Sequence, residues 1–323
     1  MKLHCYAMLN RYIAESDSAN ASLMNVKKPL VSVIMPTRNP RLDWLERSIA
    51  SAFNEPDCRI ELIVVDDGSD TPLDSMLAGR LRDGVRVLRV PHGGPSKARN
   101  AGIAASHGQF LRFMDDDDEI VAGSTSVLLA LCGSEHDVVA YGVTCECDVD
   151  LRPTRRVASR LTGTIHVAAA LGRFYAMFQA MLLPRAVVDT AGPFREDLLV
   201  QGDWEFVLRV TESARFVRTP AVVYLYRRYG TSHSSRRDAR RDAIKSTVLT
   251  VREYLARHPE LRGTLSERRI RAYAQFLIGG LLGPRYPERS RRFWRAMAAD
   301  PLRGSVILVS RLGSRMLRGI RGL

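Results

Sequence analysis

This 323-residue sequence predicts an α/β fold, a mostly parallel sheet flanked by helices, and three observations carry that expectation. Short apolar runs of strand length alternate with stretches of helical period. The runs are nearly all apolar, as strands buried on both faces are. Just past their carboxyl ends stand polar or acidic residues, where open α/β sheets bind ligands.

Residues 1–28 are polar and irregular and read as a variable lead-in. Leu30, Val31, Val33, Ile34 and Met35 form the first strand run, stopped by Pro36 and followed by Thr37 and Asn39. Leu42, Leu45, Ile49 and Phe53 make a helical stripe. Leu62 to Val65 is the second strand and closes on Asp66, Asp67, Gly68 and Ser69. Val85 to Val90 is the third, Pro95 to Ala105 a helix, and Phe110 to Met114 the fourth strand, ending in Asp115 to Asp118. Val138 to Val149 reads as further strand, with Cys145 and Cys147 on one face. Gly202 opens an amphipathic helix through Phe206, Val207 and Val210, Val222 to Tyr226 is a late strand, and Arg227 to Arg237 is a basic loop. From Asp238 the pattern is helical and arginine-rich. The expected division is a lead-in at 1–28, an α/β body at 29–235 and a basic helical extension at 236–323.

A 46% hydrophobic share with 26% charge gives a real core and excludes a disordered chain. The net charge of +13 points to an anionic partner. Without zinc-finger spacing or an aromatic RNA-binding signature, nucleic acid is the weakest of the anionic choices. Five scattered cysteines do not form a disulfide framework, and a reducing compartment follows. The amino terminus lacks a signal-peptide core and no segment reaches the ~20 apolar residues of a membrane helix, so a cytoplasmic location is expected.

The four consecutive carboxylates Asp115 to Asp118 are costly to bury unpaired, so a cation is expected beside them. No Cys or His interleaves, which favours Mg2+ or Mn2+ over zinc. A calcium loop starting at Asp115 would need Gly at Ile120 and Glu at Ser126, so an EF-hand is excluded. The competing reading is a solvated acidic turn or helix start.

Five strings occur in order: Val31-Ser-Val-Ile-Met-Pro-Thr-Arg-Asn39, Glu61-Leu-Ile-Val-Val-Asp-Asp-Gly-Ser69, Ala98-Arg-Asn-Ala-Gly102, Phe113-Met-Asp-Asp-Asp-Asp118 and Gly202-Asp-Trp-Glu-Phe206. Together they resemble the family 2 inverting glycosyltransferases of the GT-A fold, with a Rossmann-like sheet. The resemblance implies an enzyme that moves a sugar from a nucleoside-diphosphate sugar, a UDP-sugar in the first instance, to a glycan or lipid-linked acceptor in cell-surface polysaccharide synthesis. It places Asp67 on the imino N–H of the base, with Asp66 and the Pro36 and Thr37 backbone beside it and Asn39 in the same pocket. Arg99 would line the nucleotide pocket, its alternative being an exposed helical arginine. Asp115 and Asp117 map onto the metal pair, Asp117 for direct coordination and Asp115 either there or through water or ribose; Asp116 is an ambiguous neighbour and Asp118 a helix start. Asp203 maps onto the general base, with an N-cap role as the alternative. The commoner pattern has Glu where Gly202 stands, and Glu205 is assigned to the helix surface or a supporting role. Tyr226, Arg227, Arg228, Tyr229, Gly230, Thr231, Ser232 and His233 resemble a loop closing over the diphosphate, with Arg227, Arg228 and His233 as its candidate contacts.

A dinucleotide oxidoreductase is disfavoured because Thr37-Arg-Asn-Pro40 lacks the glycine fingerprint. A nucleotide-sugar pyrophosphorylase and a catalytically degenerate nucleotide-sugar-binding protein are the remaining alternatives. Near the end, Leu302, Val306, Val309, Met316 and Ile320 share a helical face opposite Arg311, Arg315 and Arg318. This stripe suits peripheral contact with an anionic membrane surface, or packing on the protein itself.

Overall fold

The computed structural model describes residues 28–229 and 239–282. The first strand, β1 (Leu30–Thr37), is followed by α1 (Leu42–Ser51), β2 (Arg59–Asp67), the single turn α2 (Leu73–Met76), β3 (Val85–Val90), α3 (Pro95–Ala105) and β4 (Phe110–Phe113). Then come β5 (Glu119–Ile120), α4 (Ser124–Cys132), β6 (Val138–Cys147), β7 (Pro153–Val157), α5 (His166–Ala170), β8 (Met181–Pro184), α6 (Arg185–Ala191), α7 (Gly202–Ser213) and β9 (Arg215–Arg227). The last helices are α8 (Ala239–Arg257) and α9 (Leu265–Leu282).

The strands join in the order β3-β2-β1-β4-β8-β6-β9-β5, with β7 on β6. The pairings of β1 with β2 and β4, of β2 with β3 and of β6 with β9 are parallel; β5, β7 and β8 run the other way. This is the mixed, largely co-directional sheet that the sequence predicts. Both faces are covered. Val31, Val33 and Met35 of β1 meet Leu45 and Ile49 of α1 and Leu128 of α4 on one side, while Ile34 joins Phe113, Val187, Val188, Phe206 and Val210 on the other. Gly102 lets α3 approach β1, because a Cβ there would lie 2.5 Å from the Ile34 Cγ2. Cys145 and Cys147 share one small buried cluster, as their spacing predicts.

The first strand runs through Pro36 rather than stopping at it. Pro36 pairs with Val65 on the β2 side, whereas the β4 ladder ends at Ile34–Phe113, so its missing N–H leaves no bond of that ladder unmade. β9 begins seven residues before the predicted start, since Arg218 and Thr219 obscure its alternation. The short strands β5, β7 and β8 carry too few residues to show a period.

The chain divides into two compact units. One carries the sheet; the other comprises 167–173, 198–201 and the described residues 239–282. Two internal segments, 167–173 and 198–201, thus belong with the C-terminal part. In that second unit α8 packs against α9, Val251, Tyr254, Leu255, Ile270 and Ile278 of the two helices are buried, and the Thr247 hydroxyl donates to Gln201 Oε1 at 2.9 Å. Residues 302–323, with the proposed membrane stripe, lie outside the described residues.

Candidate active site

The acidic run forms a turn between β4 and β5, closed by the Asp118 N–H donating to the Asp115 carbonyl at 3.3 Å. Four side chains that look equivalent in the sequence receive four different surroundings. Asp115 accepts from Arg99 Nη2 at 3.0 Å and from Gln179 Nε2 at 2.8 Å, and its own N–H donates to the Tyr224 hydroxyl at 3.0 Å. Asp116 takes a short hydrogen bond from the Thr37 hydroxyl. Desolvation pushes the Asp116 carboxyl up to about 7, with the Asp117 and Asp115 charges adding to the rise against that bond. Asp117 accepts from the Tyr229 hydroxyl at 2.7 Å, and desolvation raises it too. Asp118 is fully buried and accepts from the Arg227 N–H at 2.7 Å and the Tyr224 hydroxyl at 2.9 Å. It anchors the turn and leads into β5 rather than starting a helix as predicted.

The neighbouring strand ends are equally constrained. Asp66 accepts from the Ser69 N–H at 2.8 Å, the Leu73 N–H at 3.2 Å and Arg89 Nη1 at 2.7 Å. Burial alone would raise its carboxyl, but the Ser69, Leu73 and Arg89 interactions outweigh it and the net shift is downward. Those three bonds shape the loop, and the Asp66 side chain is fully buried. Asp67 is held by the Gly93 N–H at 2.8 Å, the Gly94 N–H at 2.9 Å and His92 Nδ1 at 2.8 Å. A carboxylate has about four lone-pair sites, so Asp67 retains acceptor capacity for a base N–H. Asn39, at φ 51°, exchanges hydrogen bonds with Asp70, and its N–H donates to Ser69 Oγ at 2.9 Å. It ties the β1 and β2 loops together.

The Arg99 side chain is mostly buried, its guanidinium carbon 4.8 Å from the Phe178 ring centre, which rules out the exposed-arginine reading. One residue on, the Asn100 side chain bonds both the N–H and the carbonyl of Phe194, at 2.8 and 2.9 Å. Phe194 in turn stacks on Phe206 of α7 at 3.9 Å. The first turns of α3 and α7 meet, since a Cβ on Gly202 would lie 2.9 Å from Ser96 Oγ. Asp203 is exposed on α7, with Oδ1 accepting the Trp204 N–H at 2.9 Å. Because α7 begins at Gly202, Asp203 sits inside the first turn and is not the N-cap residue. Glu205 departs from its expected surface position: it is buried in a bidentate pair with Arg209 at 2.8 Å on both arms.

Arg227 differs from the expectation that it faces a diphosphate. Its side chain is fully buried, donating to the carbonyls of Asp117 (2.7 Å) and Val149 and lying 4.6 Å from the Trp44 ring centre. Arg228 is the exposed member of the pair, 3.3 Å from Glu146. His233 lies outside the described residues. Gln179, Tyr224, Trp44 and His92 were not singled out from the sequence, and Tyr229 only as a member of the loop string that ends at His233. Tyr224 lay within the expected strand Val222 to Tyr226.

Among the described residues no three His, Cys, Asp or Glu side chains gather into a protein-only metal cage. The donor set is nevertheless hard oxygen, and one or two carboxylates completed by phosphate oxygens suit Mg2+ or Mn2+.

Comparison with known proteins places this geometry. The family model for glycosyl transferase family 2 matches residues 32–194, about half of the chain, and the chain belongs to that family. It is 31% identical over 125 residues to an uncharacterized glycosyltransferase of Haemophilus influenzae, covering 38% of this chain and 50% of that protein. It is 34% identical over 105 residues to the GalNAc(5)-diNAcBac-PP-undecaprenol beta-1,3-glucosyltransferase of Campylobacter jejuni, covering 31% of this chain and 34% of that one. The chain thus spans half or less of the length of these relatives. The crystal structure of S. aureus TarS 1-349 in complex with UDP-GlcNAc superposes with a TM-score of 0.54 at 19% identity, over 85% of this chain and 83% of that one. At that identity the likeness is one of fold, the GT-A type.

Proposed function

We propose that the chain is an inverting glycosyltransferase that moves a sugar from a nucleoside-diphosphate sugar, a UDP-sugar in the first instance, to a hydroxyl of a glycan or lipid-linked acceptor. The observation that carries this reading is the convergence of three strand ends. Thr37, Asp67 and the Asp115–Asp118 turn close adjacent parallel strands of one sheet, and Arg99 joins the turn from α3. The UDP-GlcNAc bound to TarS and the undecaprenol-linked substrate in the Campylobacter protein's name support donor and acceptor classes.

In this reading Asp67 accepts the base N–H and Asp115, fixed by Arg99 and Gln179, faces the ribose–diphosphate end. Asp203 takes the proton of the acceptor hydroxyl as its oxygen bonds to the anomeric carbon; the bond from that carbon to the diphosphate breaks, and the nucleoside diphosphate leaves. Its exposure lets a large acceptor reach it. Asp117, with Asp115, would hold a Mn2+ or Mg2+ ion, which when bound neutralises charge on the leaving diphosphate. Cell-surface polysaccharide synthesis at the cytoplasmic face of a membrane is the setting we infer.

A thermal-shift screen of UDP, GDP, dTDP and their sugars, with and without Mn2+, tests the binding half, because a native-state ligand at 100 times its Kd stabilises by about 2.7 kcal/mol. Donor hydrolysis then separates an enzyme from a degenerate binder: stabilisation by a nucleotide sugar without any release of nucleoside diphosphate would favour the binder.

A further inference from the structure

We propose that Tyr229 is a positioning residue for the cation, fixing the Asp117 carboxylate through its hydroxyl while Trp44 fixes Tyr229. This rests on the cation-binding part of the function proposed above.

Asp115 has an ion-pair partner in Arg99, whereas Asp117 has none within 4 Å among the described residues. The side-chain donor to Asp117 is instead a neutral phenol, Tyr229 Oη at 2.7 Å from Oδ2. A hydroxyl orients a carboxylate without neutralising it, and it uses one of about four lone-pair sites, so the charge and the remaining sites stay available to a metal. An arginine in its place would cancel the charge.

The phenol is itself held. Its ring meets Trp44 edge-on, with centroids 5.1 Å apart and planes at 64°. Trp44 is 8% exposed on α1, and the Arg41 and Arg227 guanidinium carbons lie 3.9 and 4.6 Å from its centroid. Arg227 also donates to the Asp117 carbonyl at 2.7 Å. Asp117 is therefore gripped at main chain and side chain by the end of β9, with α1 bracing both contacts. Hydrogen-bond partners of metal ligands set ligand orientation, and their loss typically weakens metal binding by about 10- to 100-fold.

The test is Tyr229→Phe in the full chain, which keeps the ring on Trp44 and removes the hydroxyl. Free Mn2+ is followed by electron paramagnetic resonance during titration in saturating UDP, alongside UDP affinity in EDTA and the urea midpoint. The Mn2+ Kd should rise about 10- to 100-fold, with UDP affinity in EDTA and the midpoint close to native. Native Mn2+ affinity in the variant, with or without a lower midpoint, overturns the positioning role and leaves the cation reading standing. Absence of Mn2+ binding by the native chain in UDP overturns both. Should Tyr229→Phe fail to fold, Trp44→Phe, which loosens the ring contact, is expected to weaken Mn2+ binding in the same direction, and unchanged affinity there is equally fatal.

Discussion

Replacing Asp203 by Asn separates chemistry from structure at a single atom. The carboxylate is exposed, and its one described bond is from the Trp204 N–H to Oδ1. Asn offers an oxygen of the same shape there, so the bond survives; what is lost is a negative charge in the first turn of a helix, worth about 0.3–1 kcal/mol. Such a loss lowers Tm by at most about 4 °C in a domain of this size. A general base, by contrast, needs an oxygen that can take a proton. Loss of that function should lower kcat by about 100-fold or more, or about 2.7 kcal/mol of transition-state stabilisation, with donor binding unchanged. The assay is release of nucleoside diphosphate from the donor found by thermal shift, with and without acceptor, paired with calorimetry of donor binding. An Asn variant that folds, binds donor and transfers within about 3-fold of the native rate would refute the base assignment.

Asp117→Ala should abolish transfer while the circular dichroism spectrum is retained, and excess EDTA should do the same to the native chain; full activity in either case rejects the cation. Asp67→Ala should weaken UDP binding by roughly 10- to 100-fold, the cost of a hydrogen bond to a charged group, and unchanged affinity by calorimetry would remove it from base recognition. The Asp66 carboxyl is lowered in the folded chain, so its contribution is present above its unfolded value near pH 4 and is lost as pH falls through the folded value. The stability gap between native and Asp66→Asn in urea should accordingly shrink below about pH 4, and a gap that is constant with pH would contradict this. Liposome flotation with anionic lipid should show weaker association once residues 302–323 are removed, and equal association would take the tail out of the account.

The sheet and its order of elements were legible because buried parallel strands carry a dense apolar signal and the helices between them a clear period. The candidate site was legible as positions but not as roles. Asp115, Asp116, Asp117 and Asp118 are identical in the string, and nothing local says that Asp118 faces Tyr224 and the Arg227 N–H from more than a hundred residues away. The same distance hid the burial of Arg227, since an arginine in a basic loop looks solvated until Trp44 and the Asp117 carbonyl are brought against it. Gln179 left no trace at all, as its single-residue contact with Asp115 has no sequence period. Asn100 was visible only as part of a motif, and its bonds to Phe194 give that motif a structural reason.

Gly202 shows how closely two helices of the candidate site approach each other. Gly202 is buried, and any side chain there would press on Ser96 Oγ in the first turn of α3. Ser96 and Arg99 lie three residues apart, on one face of that helix, and Arg99 holds Asp115. A larger residue at 202 would have to displace the Ser96 hydroxyl, while Asn100 and the Phe194–Phe206 stack tie α3 to α7. In the function proposed above, the close approach of α7 to α3 sets Asp203 and the Asp115 turn on one frame, as keeping a base and a leaving group in register requires.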